Sequence, residues 1–407
     1  MIAGAGPAGT ATAISLADFA PELRVCMAHA PAADRLRVGE TLPPQIKPLL
    51  DHLGLWPAFE ADRHRPSYRT VSAWGGPELV SNEFLFQTQQ VGWRLDRARF
   101  DAMMRTAAAS RATGIAARID AVVLEGSTWR VRLSDGAQHS ARFVVDATGR
   151  GSMVARTQGM RLDTHDRLAA SVMLLDDAPD DGMGLLIETF RGGWWYTAAL
   201  PENRRIVACM SDADLVRPLG VATIQGWMKA LGETRHLSQA LGAARPIGSP
   251  ALRAAGSRHI AHDTMLPLLC VGDAASCFDP VSGQGIFKAL RGGIFASYAI
   301  ADSLRREDQG PVVRFRAFVK REFEAYRQTL SHYYALERRW PDCPFWQRRA
   351  GRAAQGDRWR SRNAGRDDPT AFPASAAPDQ VSRHGLNLEC EGERPVVTEI
   401  GTNARSS

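Results

Sequence analysis

Three glycines near the start of the chain have the spacing at which a peptide backbone can approach a phosphate. Gly4, Gly6 and Gly9 form the pattern G-x-G-x-x-G. The first glycine permits a tight turn, the second lets a pyrophosphate reach the backbone, and the third lets a helix pack closely on a sheet. Pro7 suits the first turn of the following helix, whose unpaired N–H groups attract anions. A strand at Leu23 to His29 would complete a β-α-β unit, so we predict a dinucleotide-binding, Rossmann-like region.

Two features of this unit depart from the usual pattern. The first strand contains only Met1 to Ala3, so either the strand begins upstream or the edge of its sheet is weakened. His29 occupies the place, about 20 residues past the last glycine, where an acidic residue normally binds the ribose hydroxyls. A neutral imidazole can also bond a hydroxyl, so we expect weaker binding of the ribose rather than none.

Four further motifs indicate which dinucleotide is bound. They are RVGETLPP at Arg37 to Pro44, GWRLDRARFDAMM at Gly92 to Met104, FVVDATG at Phe143 to Gly149, and LCVGDAASCFDPVSGQGIFKAL at Leu269 to Leu290. In this order and spacing they resemble the FAD-dependent monooxygenase superfamily. The resemblance runs from Ile2 to about Arg349 and implies FAD as the cofactor.

Three segments resemble one branch of that superfamily, the tryptophan-halogenase-like flavoproteins. They are GETLPP, SAWG at Ser72 to Gly75, and GGWWYTAALP at Gly192 to Pro201. The chain is therefore identified as an oxidoreductase related to these enzymes.

The resemblance also implies which residues hold FAD. Asp273, at the end of a strand, would bond the ribityl or ribose hydroxyls, and the helix that opens at Pro280 to Gly285 would point its N–H groups at the flavin pyrimidine. Arg97 and Glu40 match positions beside the cofactor. The full implied set is Gly4, Gly6, Pro7, Ala8, Gly9, His29, Arg37, Gly39, Glu40, Arg97, Gly149, Gly272, Asp273, Pro280, Gly283, Gln284, Gly285 and Ile286.

These residues require an α/β fold with interleaved parts. We expect a Rossmann-like FAD-binding domain of three layers (β/β/α), an antiparallel-sheet substrate domain, and C-terminal helices. Ala141 to Asp146 reads as one strand, and Pro311 to Trp340 as one long helix. The predicted ranges are 1–65, 92–160 and 255–310 for the FAD domain, 66–91 and 161–254 for the substrate domain, 311–349 for the C-terminal helical segment, and 350–407 for a disordered tail.

Halogenation is the first activity to consider, because flavin halogenases resemble this chain. Those enzymes use an essential lysine near a W-x-W-x-I-P signature. Here the corresponding stretch runs from Trp194 to Ala199 with Tyr196 in place of the second tryptophan, and no lysine occurs between Lys47 and Lys229. Arg69 lies near the expected lysine position, and a guanidinium cannot replace a reactive amine. The sequence therefore argues against a tryptophan-type halogenase.

Hydroxylation through a C4a-hydroperoxyflavin fits the resemblance better, since this chemistry needs an apolar pocket over the cofactor. Trp74, Trp194 and Tyr196 are candidates for the wall of that pocket, with plain sheet core as the alternative. The substrate would be a small aromatic or apolar molecule. NAD(P)H is the expected reductant, but Thr148 and the displaced Arg156 break the motif that single-component hydroxylases use for it. A separate flavin reductase therefore stays open as a partner.

Other functions of the same protein family also stay open. The chain could be a maturase that modifies a partner quinoprotein oxidase, a reductase of prenyl double bonds, or a non-catalytic FAD-binding protein. No side chain is assigned as a catalytic acid or base. His64, His165 and His332 are read as surface histidines.

Composition limits the remaining classes. The chain has 407 residues and a formal net charge of +6. Of its 50 basic residues four are lysines (Lys47, Lys229, Lys288 and Lys320), which leaves 46 arginines. Their spread along the chain, without a binding motif, disfavours nucleic acid. Six cysteines without a C-x-x-C pair indicate a reduced, cytoplasmic protein with no metal site. No apolar run reaches the roughly 18 residues of a transmembrane segment.

Overall fold

The computed structural model describes residues 1–30, 38–84, 90–178, 184–201, 203–261 and 265–350. The predicted site residue Arg37 and, beyond Ala350, the predicted disordered tail lie outside the described residues.

The bounds of the regular elements follow in chain order. The strands are β1 (Ile2–Ala3), β2 (Cys26–Ala28), β3 (Thr41–Leu42), β4 (Arg65–Ser67), β5 (Arg69–Ala73), β6 (Val80–Glu83), β7 (Gly92–Arg94), β8 (Thr113–Ile115), β9 (Ile119–Glu125), β10 (Thr128–Leu133), β11 (Gln138–Ala141), β12 (Val144–Asp146), β13 (Leu162–Thr164), β14 (Leu168–Asp176), β15 (Leu185–Phe190), β16 (Gly193–Ala199), β17 (Arg205–Asp212), β18 (Arg245–Ala254), β19 (Arg258–Ile260), β20 (Leu268–Cys270) and β21 (Ser276–Cys277). The helices are α1 (Pro7–Phe19), α2 (Lys47–His52), α3 (Trp56–Ala61), α4 (Arg97–Ala109), α5 (Met153–Thr157), α6 (Ile224–Gly232), α7 (His236–Leu241), α8 (Gly285–Arg306) and α9 (Gly310–Ala335). Residues 344–350 are also helical.

A five-stranded parallel sheet in the order β20-β12-β1-β2-β8 forms the Rossmann-like part. Helices α1 and α8 pack tightly against each other beside it. Gly293 makes this approach possible, because a Cβ there would lie 2.6 Å from the carbonyl oxygen of Ala8. The hydroxyls of Ser15 and Ser297 are 2.7 Å apart within the contact. The predicted α/β fold is confirmed.

Two predictions about this part were wrong. The short β1 does not weaken an edge, because it is the central strand and pairs with β12 and β2. The single strand predicted at Ala141 to Asp146 is divided between two sheets. Residues up to Ala141 pair antiparallel with β10, whereas Val144 onward must run parallel to β1, so the chain bends between them.

A seven-stranded sheet in the order β18-β14-β17-β16-β15-β5-β6 forms the second part. Its pairs are antiparallel except β15 with β5. Side chains alternate along β16, as expected of a strand buried on both faces. Trp195 packs edge-on against Trp227 of α6, with ring centroids 4.9 Å apart, while Trp194 and Tyr196 belong to the cluster on the opposite face.

The C-terminal cover, which we define as residues 333–349, packs on the face of this sheet that carries Trp194. The predicted long helix ends at Ala335 rather than Trp340. Pro341 and Pro344 follow within a few residues, and proline does not continue a helix. The chain therefore turns and contributes Phe345 and Trp346 to the same cluster as Tyr334. The predicted domain ranges stay a prediction, and no helix within the described ranges is both long and apolar enough to cross a bilayer.

Glu188 holds the helical layer on the other face of the sheet. Its buried carboxylate accepts the backbone N–H groups of Arg235, His236 and Leu237 at 2.6, 2.9 and 2.8 Å. These are the otherwise unpaired donors at the start of α7.

Replacing Glu188 with alanine is expected to lower the free energy of unfolding by about 2 kcal/mol, because three buried donors lose their acceptor. Glu83→Ala is the matched control, since Glu83 lies on an exposed edge strand of the same sheet; it should stay within about 0.5 kcal/mol of the wild type. Urea unfolding followed by circular dichroism measures both. Equal losses for the two variants would show that Glu188 does not hold α7.

Candidate functional site

The glycine turn after β1 has two crowded positions and one open one. Gly4 has φ +113°, and a Cβ there would overlap the carbonyl oxygen of Ala147. A Cβ on Gly9 would overlap the carbonyl of Gly4. A Cβ on Gly6, in contrast, would meet nothing within 4 Å. The outer glycines are therefore needed for packing, and the middle one leaves a space at the start of α1, where N–H groups attract a phosphate.

His29 lies directly after β2, at the same sheet edge as this turn. The backbone N–H of Gly4 donates to the carbonyl of Ala28 at 2.8 Å, which brings the two loops together. The ring Nδ1 of His29 is 2.9 Å from the carbonyl oxygen of Ala30. The imidazole is thus oriented by its own loop, and its role as a ribose ligand stays a prediction.

Arg97 clamps the loop that carries Gly39 and Glu40. Its guanidinium donates to the carbonyls of Val38 and Gly39 at 2.5 and 3.1 Å, and it pairs with Asp101 at 3.3 Å. Arg97 was predicted to lie near the cofactor, which stays a prediction; in the structure its contacts hold the loop from Val38 to Glu40.

Glu40 connects this loop to the seven-stranded sheet. The carboxylate accepts the Gly39 N–H at 2.9 Å and the hydroxyl of Tyr196. Burial raises the pKa of Glu40, although the guanidinium groups of Arg97 and Arg94 oppose the rise. Burial, and then the Glu40 charge, raise the pKa of Tyr196 well above its usual value. The tyrosine that replaces the signature tryptophan is thus a neutral hydrogen-bond donor that links the seven-stranded sheet to the loop of Glu40.

The polar groups of the turn after β12 form hydrogen bonds with one another. Asp146 is fully buried and accepts from the backbone N–H and the hydroxyl of Thr148 at 3.0 and 2.6 Å. The Thr148 hydroxyl in turn accepts the N–H of Met153 at 2.8 Å. Gly149 has φ +69° and open space at its Cβ position. Thr148 therefore stabilises the turn where the hydroxylase motif would have an aspartate.

Lys288 holds the Gly272–Asp273 turn from beneath. Its buried ammonium donates to Asp273 at 3.1 Å, to the Gly272 carbonyl at 3.4 Å, and to the carbonyl of Ser276. Gly272 has φ +59°, and a Cβ there would lie 2.7 Å from the Cβ of Ala8 in α1. The Asp273 carboxylate stays partly exposed, so it can still accept a ligand hydroxyl.

The turn at Pro280–Ser282 leads into α8 through Gly283, which has φ +61°. The Cβ positions of Gly283 and Gly285 meet nothing within 4 Å. Gln284 occupies the N-cap position of the helix without a capping bond from its side chain, and Ile286 is buried behind it. With the open Gly6 position and the partly exposed Asp273, the chain has backbone cradles at both ends of an extended ligand, and the residues present fit FAD.

A chain of hydrogen bonds runs from this turn to the sheet. The indole N–H of Trp194 donates to the hydroxyl of Tyr334 at 2.9 Å. That hydroxyl donates to the carboxylate of Asp279 at 2.7 Å. Asp279 also accepts the N–H of Val281 at 3.0 Å. Because the three side chains come from β16, α9 and the turn before α8, these hydrogen bonds join three separate parts of the fold.

The predicted pocket residues Trp74, Trp194 and Tyr196 lie on one side of the sheet. Trp74 and Trp194 have ring centroids 6.1 Å apart, and Trp194 and Tyr196 6.3 Å apart. The indole N–H of Trp74 donates to the carbonyl of Tyr333 at 3.0 Å. Trp194 and Tyr196 are buried and Trp74 is partly buried against the C-terminal cover, so they form an aromatic wall rather than an open groove.

Comparison with known proteins places the chain in a family. Residues 78–365 match the family model described as tryptophan halogenase. The chain belongs to this family.

Members and relatives of the tryptophan halogenase family resemble the chain over most of its length. LodB of Marinomonas mediterranea, named as an FAD-dependent oxidoreductase, is 28% identical over 359 residues, with 86% of this chain and 96% of LodB covered. The peptidyl tryptophan dihydroxylase QhpG is 26% identical with a TM-score of 0.68, covering 86% of this chain and 77% of QhpG. The myxobacterial halogenase CndH shares the fold at 22% identity and a TM-score of 0.77, with 90% of each chain covered. The protein is an FAD-dependent oxidoreductase of the tryptophan halogenase family.

All four lysines of the chain are among the described residues, and each lies on a helix (α2, α6, α8 or α9) rather than on the strand that carries Trp194 and Tyr196. Lys47 pairs with Asp51 on α2, and Lys229 and Lys320 are exposed on α6 and α9. Lys288 is buried and bonded as described above. Arg69, near the expected lysine position, is partly exposed and pairs with Glu83 at 3.5 Å on the outer strands.

Of the three histidines, only one lies as predicted. His332 is exposed. His64 is buried, which corrects its reading as a surface residue, and burial lowers the pKa of its ring. His165 is partly buried and contacts the ring of Phe323 at 5.1 Å.

Sequence reasoning missed Asp279, Tyr334 and Lys288 as site residues. Asp279 directly precedes the predicted Pro280, and Lys288 lies in the same motif. Two signals were available in the sequence. Asp279 is a carboxylate beside the turn predicted to bind the cofactor, and Lys288 is one of only four lysines. Tyr334 gave no local signal, because its partners are 55 and 140 positions away.

Gly6→Ala and Gly9→Ala should separate cofactor binding from folding. A methyl group at position 6 enters open space, so we expect an unchanged melting temperature and an FAD dissociation constant raised about tenfold, since the methyl occupies the phosphate approach. At position 9 the methyl overlaps backbone, so the melting temperature should fall. Differential scanning calorimetry and quenching of flavin fluorescence measure the two effects. Wild-type FAD affinity in Gly6→Ala would exclude a phosphate at this glycine.

Proposed function

We propose that the protein is a flavin monooxygenase that hydroxylates an aromatic substrate. One observation carries the proposal: the turn before α8 meets an aromatic wall that has no amine. Val281 of that turn packs in the same cluster as Trp194 and Tyr196. The resemblance implies that a halogenase would need the amine of an essential lysine. Hydroxylation needs instead an apolar site from which water is excluded.

Some residues of the chain would bind FAD, and others would exclude water from the site. Gly6, Asp273 and the turn at Gly283 would hold FAD, and the aromatic wall would keep water out. When bound and reduced, FAD supplies the activation of molecular oxygen. NAD(P)H is the proposed reductant. The replacement of the hydroxylase motif by a self-contained turn at Thr148 supports delivery of reduced flavin by a separate reductase.

A direct assay tests the activity. The protein is supplied with a flavin reductase, NADH, FAD, oxygen and bromide, and offered indole, free tryptophan and tryptophan-containing peptides. We expect hydroxylated and no brominated product, because no amine is available to carry the halogen. Sustained bromination would overturn the proposal, and NADH oxidation without the added reductase would overturn only the two-component part. Mass spectrometry of the products distinguishes these outcomes.

A second candidate, a side chain of a partner protein as the substrate, is favoured by the surface of α9. This basic ridge consists of the exposed residues Arg314, Lys320, Arg321 and Arg327 of α9 and Arg338 just after it. Glu324 is the one exposed acid among the described residues of that helix. The similarity to QhpG, which acts on peptidyl tryptophan, supports the same reading. On α9 the ridge extends about 20 Å, from Arg314 to Arg327, and the last turn of the same helix carries Tyr334, beside the aromatic wall.

Charge reversal on the ridge tests this second candidate. The double variant Arg321→Glu, Arg327→Glu should lower kcat/KM for a tryptophan peptide with acidic flanks about tenfold and weaken its salt dependence, because long-range attraction is lost. Arg132→Glu, at an exposed position of β10, is the control and should change neither. Free tryptophan should react equally with all three proteins. Equal rates for acidic and basic peptides with the wild type would exclude the ridge as a docking surface.

A further inference from the structure

Asp279 lies where the cofactor turn, α9 and the sheet meet. Its side chain is almost fully buried. One carboxylate oxygen accepts the N–H of Val281 at 3.0 Å, inside the turn that opens α8. The other accepts the hydroxyl of Tyr334 at 2.7 Å. Both oxygens are therefore acceptors, and the ionised carboxylate satisfies two donors at once.

The backbone of Asp279 is fixed as firmly as its side chain. Its N–H donates to the hydroxyl of Tyr326 at 2.6 Å, and that hydroxyl is 2.7 Å from the hydroxyl of Ser257. The carbonyl accepts both the N–H and the hydroxyl of Ser282, at 3.1 and 2.9 Å. A change in the carboxyl group therefore cannot be relieved by moving the backbone.

A small cavity of about 30 Å³ adjoins the carboxyl group and is lined by Asp166, Asp279, Leu330, Ser331, Tyr334 and Arg349. A cavity of this size accommodates about two waters, which gives a proton a route to the buried group. Asp166 faces the cavity with its oxygens bonded to the N–H groups of Leu168 and Ser257, each at 3.0 Å.

The groups around Asp279 have opposite effects on the pKa of its carboxyl group. Burial, and then the carboxylate of Asp166, raise the pKa of the Asp279 carboxyl to about 7, whereas Tyr334 and Arg349 lower it. Tyr326 adds a neutral hydroxyl from α9, and the pKa of its phenol is raised well above the usual value by burial. The pKa of Asp279 therefore depends on groups from three places: Asp166 across the cavity, Tyr334 on α9 and Arg349 in the C-terminal cover.

We propose that Asp279 is a positioning residue that couples the FAD-binding turn to the aromatic wall. Ionised, it accepts from both the Val281 N–H and the Tyr334 hydroxyl. On taking up a proton one oxygen becomes a donor, so either the bond from the N–H is lost or the bond with the hydroxyl reverses its direction. Because Tyr334 accepts the indole N–H of Trp194, the same protonation alters both the turn that receives the flavin and the wall that faces it. This role rests on FAD use and not on the hydroxylation proposed above.

The direction of the pH effect follows from the raised pKa. Because the pKa of Asp279 is higher in the folded than in the unfolded protein, ionisation costs folding stability as the pH rises from about 4 to about 7. Above about pH 7 the carboxylate is ionised and orders the turn. FAD should therefore bind more tightly above this pH than below it, and its binding near pH 7 should release protons.

The test is a titration of the flavin-free protein with FAD between about pH 6 and about pH 8. In the wild type we expect the dissociation constant to rise about fivefold as the pH falls, the scale of one hydrogen bond. Asp279→Asn should give the weaker, low-pH affinity at every pH. Tyr334→Phe should keep the transition but move its midpoint upward, because it removes a hydrogen bond to the ionised form.

Calorimetry in two buffers of different ionisation enthalpy supplies a readout that a purely structural role would not change. FAD binding near pH 7 should release protons from the wild type and none from Asp279→Asn. Tyr333→Phe, whose hydroxyl bonds Ser72 instead, is the matched control and should behave as the wild type. A pH-independent affinity in the wild type, or an unchanged transition in Asp279→Asn, would overturn the role of Asp279. Neither outcome depends on finding the substrate.

Discussion

Burial of the sheet face that carries Trp194 depends on residues from the far end of the described chain. That face is lined by aromatic and aliphatic side chains, and leaving it in water would forfeit much of the hydrophobic stabilisation of the sheet. Phe345 and Trp346 cover it. The cover is held by Arg349, which is buried and pairs with Asp212 at 2.9 Å. A buried guanidinium is tolerated only when it is paired, so this ion pair and the apolar packing depend on each other.

The same cover also connects the sheet to the turn before α8. It supplies Tyr334, which bonds Trp194 on one side and Asp279 on the other. A series of hydrogen bonds thus passes through an otherwise apolar layer and ends at the turn before α8. Glu40 and Tyr196 make a second polar link between the two parts of the fold. The aromatic wall is therefore oriented by hydrogen bonds at both ends, which apolar packing alone would not achieve.

Local patterns allowed much of the fold to be predicted. The glycine turn with the helix after it, and most of the long helix predicted from Pro311, follow from residue spacing, which depends on neighbours within a few residues. The division of Ala141 to Asp146 between two sheets could not be predicted, because it depends on which distant strands each half joins. The partners of Asp279 are likewise set by tertiary packing. At Tyr196 the sequence indicated a departure from the halogenase signature, but only the structure indicates what the hydroxyl does.

The scarcity of lysine has a consequence for regulation. Every member of the basic ridge except Lys320 is an arginine, whose charge persists at any physiological pH. Lysine acetylation removes a positive charge, but here it could neutralise only one of the five ridge positions. Lys288 is enclosed by its own carbonyl and carboxylate partners. The positive charge of this surface is therefore nearly independent of both pH and lysine acetylation.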